Sequence, residues 1–272
     1  MEVKNSPKIA VLLTCHNRKE KTLSALASLY EQQGIDTRFI IDIYLTDDGS
    51  TDGTKSTVED LFPNVELIVG DGSLYWNKGM RLAWQTAMSS NGEYDFFCWL
   101  NDDVVLNSDA LSSLLTDYFL LKKSGESVGA IVGLMQDENG NPTYGGKLKG
   151  TRLFPLKAQL LPIDNKHCQP CDFINGNLVL IPQSSVARIG ILSDKFTHQM
   201  GDFDYSARLN KHGLTCWQGK GTLGTCSLNS VENTFRDCSL VFEKRVELLK
   251  KPNQIAPPKE WMYFIFKYGG PL

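Results

Sequence analysis

The sequence predicts an α/β fold in which helices flank a mostly parallel sheet. Short apolar runs alternate with segments of helical period, which is the pattern of strand–helix–strand units. Polar residues gather directly after the apolar runs, where open parallel sheets bind their ligands. The chain has 272 residues, of which 42% are hydrophobic, and this is enough to fill one core. We therefore expect a single globule.

Apolar runs predict the strands of the first half of the chain. We place these strands at Lys8–Leu13, Phe39–Leu45, Val65–Val69 and Asp95–Leu100. The segment Lys19–Gln32 repeats apolar residues at helical spacing, and the segment around Met80 and Trp84 does the same. Both segments are predicted to be helices that pack on the sheet.

The second half of the chain has a less regular pattern. Ser108 is a suitable N-cap for a helix that runs to about Lys123, and Val128–Leu134 has the composition of a buried strand. Glycine and proline punctuate residues 139–170, which favours loops or a short hairpin. The remaining predicted elements are a strand at Asn177–Ile181, helices at Gln183–Ile189 and Asp202–His212, a tail helix from Ser239 to Lys250 and an aromatic stretch at Trp261–Tyr268.

Composition narrows the class of protein and its partners. The formal net charge is -3, and without a basic excess we expect no nucleic-acid partner. The apolar run at residues 9–13 is too short to span a bilayer. The seven cysteines are an odd number scattered through the chain, which favours reduced thiols over a disulfide framework. We therefore expect a cytoplasmic protein.

Three polar clusters directly follow predicted strands. They are Thr14–Arg18, Thr46–Ser50 and Asn101–Asp103. The adjacent carboxylates Asp102 and Asp103 would repel each other unless a cation lies between them, and oxygen ligands of this kind suit Mg2+ or Mn2+. Capping of the next turn is the alternative for these two residues. The convergence of the three clusters on one sheet edge favours a ligand site with a divalent cation.

The order of the motifs resembles the inverting family 2 glycosyltransferases of the bacterial surface-polysaccharide type. The resemblance rests on the runs Val11–Arg18, Asp47–Thr54, Trp99–Val104, Asn175–Asn177 and Gly201–Arg208. It implies a GT-A fold with a Rossmann-like sheet, a nucleotide-binding half and an acceptor half. It also implies transfer of a sugar from a nucleotide-diphospho-sugar to an acceptor hydroxyl, in polysaccharide or glycolipid biosynthesis.

The resemblance implies roles for residues on the donor side. Thr14 and Asn17 are similar to the first-strand residues that line the nucleotide pocket, and Asp48 is similar to the carboxylate that accepts a hydrogen bond from the base. Trp76 and Asn77 lie in a glycine-containing stretch at residues 72–79, whose composition suits contacts with the sugar or the diphosphate. Packing in the core is the alternative for Trp76.

The run Asn101–Asp103 resembles the Asp-x-Asp motif of the family and implies a metal site. Asn101 would face the ribose, Asp102 would belong to the nucleotide-sugar pocket, and Asp103 would bind Mn2+ or Mg2+ directly. Many relatives carry a metal-binding histidine further along, in a region where this chain has Cys226. Cys226 is either a substitute ligand or a buried thiol.

Asp202 is the candidate catalytic base. The run Gly201–Arg208 resembles the acidic motif that begins the acceptor-side helix of the family. Inversion requires a base that removes the acceptor proton as the acceptor oxygen attacks. The usual motif has two consecutive acids, and Gly201 stands in place of the first. The alternative is that Asp202 is a charge that interacts with the dipole at a helix N-terminus.

The chain is divided into a catalytic domain at residues 1–235, whose nucleotide-sugar half ends near Asp109, and a helical, aromatic tail at residues 236–272. The expected acceptor is a saccharide or a lipid-linked saccharide, and the oligomeric state is left open. Basic residues beside the aromatic stretch of the tail would suit peripheral contact with an anionic membrane. The alternative is that the aromatics cover the core, because Pro252, Pro257 and Pro258 interrupt any long amphipathic helix.

Other interpretations have less support in the sequence. A catalytically silent sugar-nucleotide-binding protein is one alternative. A nucleotidyltransferase is another, but that class has a glycine-rich loop near the first strand, and residues 14–19 contain no glycine. Gly219–Gly224 matches the dinucleotide-binding pattern, yet no amphipathic helix follows it. Cys168 and Cys171 lack the second spaced pair of a zinc site.

Overall fold

The computed structural model describes residues 6–90, 92–150, 158–254 and 256–268. The helices in these ranges are α1 (Lys19–Tyr30), α2 (Thr54–Leu61), α3 (Tyr75–Ser89), α4 (Ala110–Lys123), α5 (Gln183–Ile189), α6 (Gly201–Lys211), α7 (Phe242–Leu248) and α8 (Pro258–Tyr268). The strands are β1 (Lys8–Cys15), β2 (Ile40–Asp47), β3 (Val65–Val69), β4 (Phe96–Leu100), β5 (Val105–Leu106), β6 (Val128–Gln136), β7 (Gly146–Leu148), β8 (Gln159–Leu160), β9 (Gln169–Cys171), β10 (Phe173–Ile174), β11 (Leu178–Pro182) and β12 (Thr215–Thr225).

The large sheet has the strand order β3-β2-β1-β4-β11-β6-β12-β5, and β9 also pairs with β12. Its first four strands in this order run parallel to one another. Strand β11 is antiparallel to both β4 and β6, whereas β6 and β12 are parallel. A small second sheet has the order β10-β7-β8. The predicted α/β class, with a mainly parallel sheet flanked by helices, is confirmed.

Two apolar layers cover the two faces of the large sheet. Alternate residues of β1 point to opposite faces, so that Ile9 and Val11 join one layer while Ala10 and Leu12 join the other. Apolar residues of α1 and α4 complete the first layer, and those of α3 and α6 complete the second. Because helices cover both faces, the carboxyl ends of the parallel strands remain the open edge of the sheet.

The predicted elements of the first half agree closely with the structure. Strand β3 has its predicted bounds, and the bounds of β1, β2, β4 and α1 differ from the predicted ones by no more than two residues. Helix α2 was not predicted, and it buries only Thr54 and Val58. Helix α3 begins at Tyr75, so Trp76 and Asn77 lie in its first turn.

In the second half, the predicted N-cap at Ser108 is wrong. Helix α4 begins at Ala110, and Asp109 occupies the N-cap position. The hydroxyl and the carbonyl of Ser108 accept hydrogen bonds from the side chain and the backbone of Gln33, so Ser108 is engaged with the segment that follows α1. Between residues 139 and 170 the predicted short hairpin is present as β7 and β8, while residues 151–157 lie outside the described ranges.

The tail forms two helices, and α8 packs on the body of the protein. Phe264 of α8 is buried in a cluster with Phe196 and Met200, whereas Met262 and Phe266 are exposed. Helix α7 is shorter than the predicted helix from Ser239 to Lys250. In the part of the chain that the structure describes, no helix has both the length and the apolar character needed to cross a bilayer.

Candidate active site

Two adjoining cavities open at the carboxyl ends of the parallel strands. The β1 cavity, of about 470 Å³, is lined by residues that include Thr14 and Asp48. The α6 cavity, of about 590 Å³, is lined by residues that include Asn101, Asp103 and Asp202. Both cavities share the residues Arg18, Trp76, Asp102, His198 and Asn253. The polar clusters predicted from the sequence therefore meet in one continuous cleft.

Asp48 follows β2 and organises the loop that leads into α3. One of its carboxylate oxygens accepts the backbone N–H of Gly72 at 2.8 Å, and the other accepts those of Leu74 and Tyr75 at 2.9 Å each. The carboxylate thus satisfies N–H groups at the start of a helix, as an N-cap does. Asp48 also lines the β1 cavity, so it both holds the loop beside this cavity and contributes to its wall.

Asn17 joins the loops that follow β1 and β2. Its Oδ1 accepts hydrogen bonds from the backbone and the hydroxyl of Thr51 at 2.8 and 3.2 Å, and its Nδ2 donates to Nε2 of His16 at 3.1 Å. Asn17 lines neither of the two cavities described above. The structure therefore shows Asn17 holding the two loops together, and its contact with the nucleotide stays a prediction.

Asn77 is also placed away from the cleft, contrary to the prediction. Its side chain is fully buried, and its Nδ2 donates to the carbonyls of Ser193 and Phe196 at 2.9 and 2.7 Å. A Cβ on residue 201 would lie 1.9 Å from Asn77 Oδ1, which explains why Gly201 occupies the first position of the acidic motif. Asn77 cannot reach a ligand because its partners hold it between α3 and the start of α6.

Arg18 bridges the two adjacent carboxylates that follow β4. Its guanidinium donates to Asp102 Oδ1 at 2.8 Å and to Asp103 Oδ2 at 2.5 Å. The side chains of Asp102 and Asp103 are only 5% and 9% exposed. Burial raises the pKa of Asp102 to about 7, and the charge of Arg18 opposes this shift. The sequence predicts a cation between these carboxylates, and Arg18 supplies one positive charge there.

The remaining oxygens of the carboxylate pair fit a divalent cation. Asp102 Oδ2 and Asp103 Oδ1 are buried and have no hydrogen-bond partner among the described residues. Oxygen donors of this kind are the ligands that Mg2+ and Mn2+ prefer. Within the described ranges, no group of three or more His, Cys, Asp or Glu side chains is placed to hold an ion by itself. A cation at this pair would need further oxygen ligands from a bound molecule or from water.

Cys226 lies beside Asp103, where the resemblance left open a substitute metal ligand. Burial raises the pKa of the Cys226 thiol to about 12, and the charge of Asp103 raises it further. The sulfur accepts a hydrogen bond from Nδ2 of Asn177 at 3.4 Å. Cys226 is only 3% exposed and its sulfur is engaged by Asn177, which are the surroundings of a buried thiol.

Trp76 forms the wall between the two cavities. Its Nε1–H donates to Asn101 Oδ1 at 2.7 Å, and its ring meets Trp99 edge to face at a centroid distance of 5.9 Å. A Cβ on Gly176 would lie 2.3 Å from the Trp76 ring, so a glycine is required there. The amide oxygen of Asn101 is thus occupied, and its amide nitrogen is the group left for a ligand.

Asp202 lies in the first turn of α6 and faces the α6 cavity. Burial raises the pKa of Asp202 to about 6, while hydrogen bonds from the backbone N–H groups of Phe203 and Gly176 and the charge of Lys147 oppose the shift. The bond from the Phe203 N–H is 2.8 Å long. The carboxylate is therefore held in one orientation with a pKa close to neutral, which suits a general base.

His198, Lys251 and Asn253 are among the residues of the cleft that were not predicted as site residues. His198 lies four residues before Asp202 and lines both cavities, so the loop before the acidic motif was a usable signal for it. Lys251 lines the β1 cavity, and Asn253 lines both. These two residues are contributed by the tail between α7 and α8, and no local pattern in the sequence marks them.

The comparisons with known proteins agree with this fold. The sequence matches the family described as Glycosyl transferase family 2 over residues 10–172, which is more than half of the chain. A search of the curated proteins found no match.

Two solved structures share the fold at low sequence identity. The mannosyltransferase PcManGT from Pyrobaculum calidifontis, in complex with GDP-Man and Mn2+, superposes with a TM-score of 0.61 at 14% identity, covering 94% of this chain and 67% of that one. TarS 1–349 from S. aureus, in complex with UDP, superposes with a TM-score of 0.54 at 15% identity, covering 96% of this chain and 72% of that one. With the family match, the cleft and the fold in agreement, the chain belongs to glycosyl transferase family 2 and is a glycosyltransferase.

Proposed function

We propose that the enzyme transfers a sugar from a nucleoside-diphosphate donor to an acceptor hydroxyl, with inversion at the anomeric carbon. The observation that carries the proposal is the α6 cavity, which places Asp202 in one cleft with Asp102 and Asp103. The same cleft continues past Trp76 and His198 into the β1 cavity. One cleft thus offers a base, a cation site and room for a nucleotide.

The β1 cavity is the proposed binding site of the donor nucleotide. Its volume of about 470 Å³ is in the range of small-molecule pockets. Thr14 and Asp48 line it with a hydroxyl and a carboxylate, and Lys251 adds a positive charge that would attract a diphosphate. The complexes of the two similar proteins with GDP-Man and UDP support a nucleotide as a ligand of this fold.

Asp103, together with Asp102, would hold Mn2+ or Mg2+ through the two unpaired carboxylate oxygens. A divalent cation bound there supplies Lewis-acid stabilisation of the leaving nucleoside diphosphate. Arg18 contacts both carboxylates and lines both cavities, so it keeps the pair oriented and its charge within reach of the diphosphate. The complex of PcManGT with Mn2+ supports a divalent cation in this fold.

Asp202 is the proposed general base. The acceptor oxygen attacks the anomeric carbon on the face opposite the diphosphate, Asp202 takes the proton of that hydroxyl, and the bond between the sugar and the diphosphate breaks. The electron pair of this bond leaves with the nucleoside diphosphate. The raised pKa of Asp202 and its place in the α6 cavity support this role.

The acceptor side of the α6 cavity suits a saccharide. Phe203 lines this cavity together with polar side chains such as Asn175 and Lys147. Aromatic faces and polar side chains together are typical of carbohydrate sites. We place the reaction in polysaccharide or glycolipid synthesis, with a saccharide or lipid-linked saccharide as acceptor and the exposed face of α8 in peripheral contact with the membrane.

A binding screen followed by product analysis tests the proposal. Thermal shifts with UDP, GDP and their sugar derivatives, each with and without Mn2+, identify the donor because a ligand stabilises the folded state in proportion to its occupancy. Incubation of the selected donor with saccharide acceptors is then followed by proton NMR of the anomeric signal. We expect inverted configuration and release of a nucleoside diphosphate. Retained configuration, or release of a nucleoside monophosphate, would contradict the proposal.

A further inference from the structure

His198 lies at the point where the β1 and α6 cavities join. It lines both cavities, as do Trp76 and Asp102. In a transfer reaction the anomeric carbon lies between the diphosphate of the donor and the attacking oxygen of the acceptor. If the nucleotide occupies the β1 cavity and the acceptor approaches Asp202, the transferred sugar must lie at this junction. His198 is therefore placed beside the sugar and not beside the base of the nucleotide.

The hydrogen bonds of the ring determine its tautomer. The backbone N–H of Trp76 donates to Nδ1 of His198 at 3.3 Å, so Nδ1 carries no proton. Burial lowers the pKa of His198 to about 4, which keeps the ring neutral at physiological pH. Nε2 must then carry the proton. Among the described residues Nε2 has no hydrogen-bond partner, and it is not fully buried. Its N–H is therefore free to donate to a ligand in the cleft.

The segment that carries His198 is fixed from two sides. Glu260 of α8 accepts hydrogen bonds from the backbone N–H and the hydroxyl of Thr197 at 3.1 and 2.8 Å. Asn77 of α3 donates its backbone N–H to the Thr197 carbonyl at 3.1 Å and its side-chain amide to the Phe196 carbonyl at 2.7 Å. The direction of the Nε2–H bond is thus set before a ligand binds, as in a preorganised site.

We propose that His198 is a specificity-determining residue, which donates a hydrogen bond from Nε2 to a hydroxyl oxygen of the transferred sugar. The proposal rests on the proposed function, because it takes the donor to be a nucleotide sugar. A site built to pair with a substrate hydroxyl discriminates strongly against a sugar without that hydroxyl at the same place, since the donor group is then left unpaired.

Two substitutions separate the contact with the sugar from the contact with Trp76. In His198→Asn, the amide oxygen can take the place of Nδ1 and accept the Trp76 N–H, but the donor at the position of Nε2 is lost. In His198→Gln, the amide nitrogen can reach the position of Nε2 and keep the donor, while the acceptor at the position of Nδ1 is lost. A structural role and a role in sugar recognition therefore predict opposite orders of damage.

Calorimetric titration of the full chain in Mn2+ tests the proposal, with UDP, GDP and a set of UDP- and GDP-sugars as probes. For the nucleotide sugar that the unaltered protein binds best, we expect about tenfold weaker binding by His198→Asn and less than about threefold weaker binding by His198→Gln. The affinity of all three proteins for the matching nucleoside diphosphate should be the same within about twofold.

The possible outcomes separate this inference from the proposed function. Unchanged binding of the nucleotide sugar by His198→Asn overturns the inference, and so does a loss that is equal for the nucleotide sugar and the nucleoside diphosphate. Greater damage in His198→Gln than in His198→Asn assigns the residue to the support of Trp76 and also overturns it. If the unaltered protein binds neither nucleotides nor nucleotide sugars, the proposed function fails and this inference fails with it.

Discussion

At the scale of single residues, Asp202 combines burial with a fixed orientation. The Phe203 N–H holds one of its carboxylate oxygens at 2.8 Å, and burial raises its pKa to about 6. A base with a pKa just below neutral is mostly ionised at physiological pH and still accepts a proton readily. The chemistry of the site therefore depends on the surroundings of this carboxylate as much as on its presence.

Asp202→Asn is expected to lower kcat by about a hundredfold or more, because the amide cannot accept the acceptor proton. The affinity for the nucleoside diphosphate in Mn2+ should be unchanged, because Asp202 lines the α6 cavity and not the β1 cavity. Steady-state kinetics and calorimetric titration check the two parts separately. A loss of nucleotide affinity as large as the loss of kcat would assign Asp202 a structural role.

The pH dependence of the reaction should report the same carboxylate. Burial disfavours the charged form and raises the pKa of Asp202 to about 6, so the base is protonated and inactive below that pH. At saturating donor and Mn2+ we expect kcat to fall about tenfold per unit below pH 6 and to level off above pH 7. The residual activity of Asp202→Asn should lack this acid limb. A limb that persists in the variant would assign it to another group.

Asp103→Asn is expected to abolish the effect of Mn2+ on nucleotide binding, because an uncharged amide is a much weaker ligand for a hard cation. Titration of UDP or GDP with and without Mn2+ measures the effect, and electron paramagnetic resonance of Mn2+ reports its binding directly. Asp60→Asn is the matched control, since Asp60 is an exposed carboxylate on α2. Unaltered Mn2+ dependence in Asp103→Asn would remove Asp103 from the metal site.

The sequence predicts residues whose role depends on the nearby chain more readily than residues whose partners are distant. Asp103 and Asp202 follow a buried strand and begin a helix, and both positions are visible in the local pattern. Asn77 has the same polar character as a ligand residue, but its partners Ser193 and Phe196 lie 116 and 119 residues further along the chain. Without the fold, a buried amide of this kind cannot be distinguished from one that faces a cavity.

At the scale of the elements, a buried carboxylate connects the tail helix α8 to helix α6. Asp204 of α6 is fully buried, and it accepts hydrogen bonds from Arg208 of the same helix and from Lys267 and Tyr268 of α8. The distances are 2.8, 3.1 and 2.6 Å. Since α6 also carries Asp202, the packing of α8 contributes to the placement of the proposed base.

Asp204→Asn should lower the free energy of unfolding by about 3 kcal/mol, because it leaves two cations beside a neutral amide in a buried position. Glu247→Gln is the control, since it breaks the Lys244–Glu247 pair, whose side chains are 50% and 58% exposed. Exposed pairs of this kind contribute about 0.5 kcal/mol or less. Urea unfolding followed by circular dichroism measures both changes. If the two substitutions lower the free energy of unfolding by the same amount, the hydrogen bonds of Asp204 do not make the expected contribution to stability.

The sequence predicts best the helices and strands that have a strong local hydrophobic pattern. Strand β3 and helix α5 have their predicted bounds. Helix α2 was not predicted because its apolar face is narrow. Only Thr54 and Val58 are buried among its eight residues. The antiparallel direction of β11 could not be predicted, because a run of buried residues such as Leu178–Pro182 reads the same in either direction, and only its pairing with β4 and β6 fixes the orientation.

At the scale of the whole molecule, the tail has two faces with different surroundings. Phe264 and Glu260 of α8 are buried against the body, so the aromatics of the tail cover the core in part, which was one of the two alternatives. Met262, Ile265 and Phe266 are 55%, 44% and 82% exposed. Their spacing places them on one side of the helix. The exposed side of α8 is thus apolar, and Lys259 lies at its start.

This exposed side of α8 is the expected point of contact with an anionic membrane surface. Truncation of the tail would remove Glu260 and Phe264 from the core, so paired point substitutions provide a cleaner test. The double variant Met262→Ser with Phe266→Ser should bind vesicles of phosphatidylglycerol and phosphatidylcholine at least about tenfold more weakly than the unaltered chain, since each large apolar side chain contributes about 1.5–3 kcal/mol when buried. Salt should weaken the binding of the unaltered chain.

Leu61→Ser is the matched control for this measurement, because Leu61 is an apolar residue of comparable exposure, at 62%, on helix α2. Co-sedimentation compares the three proteins, and thermal unfolding verifies that each remains folded at the same midpoint. Binding that Leu61→Ser retains and the double variant loses assigns the contact to α8. If the unaltered chain does not co-sediment, or if the double variant binds as well as the unaltered chain does, the apolar side of α8 has no role at a membrane, because the residues that would enter the lipid are the ones replaced.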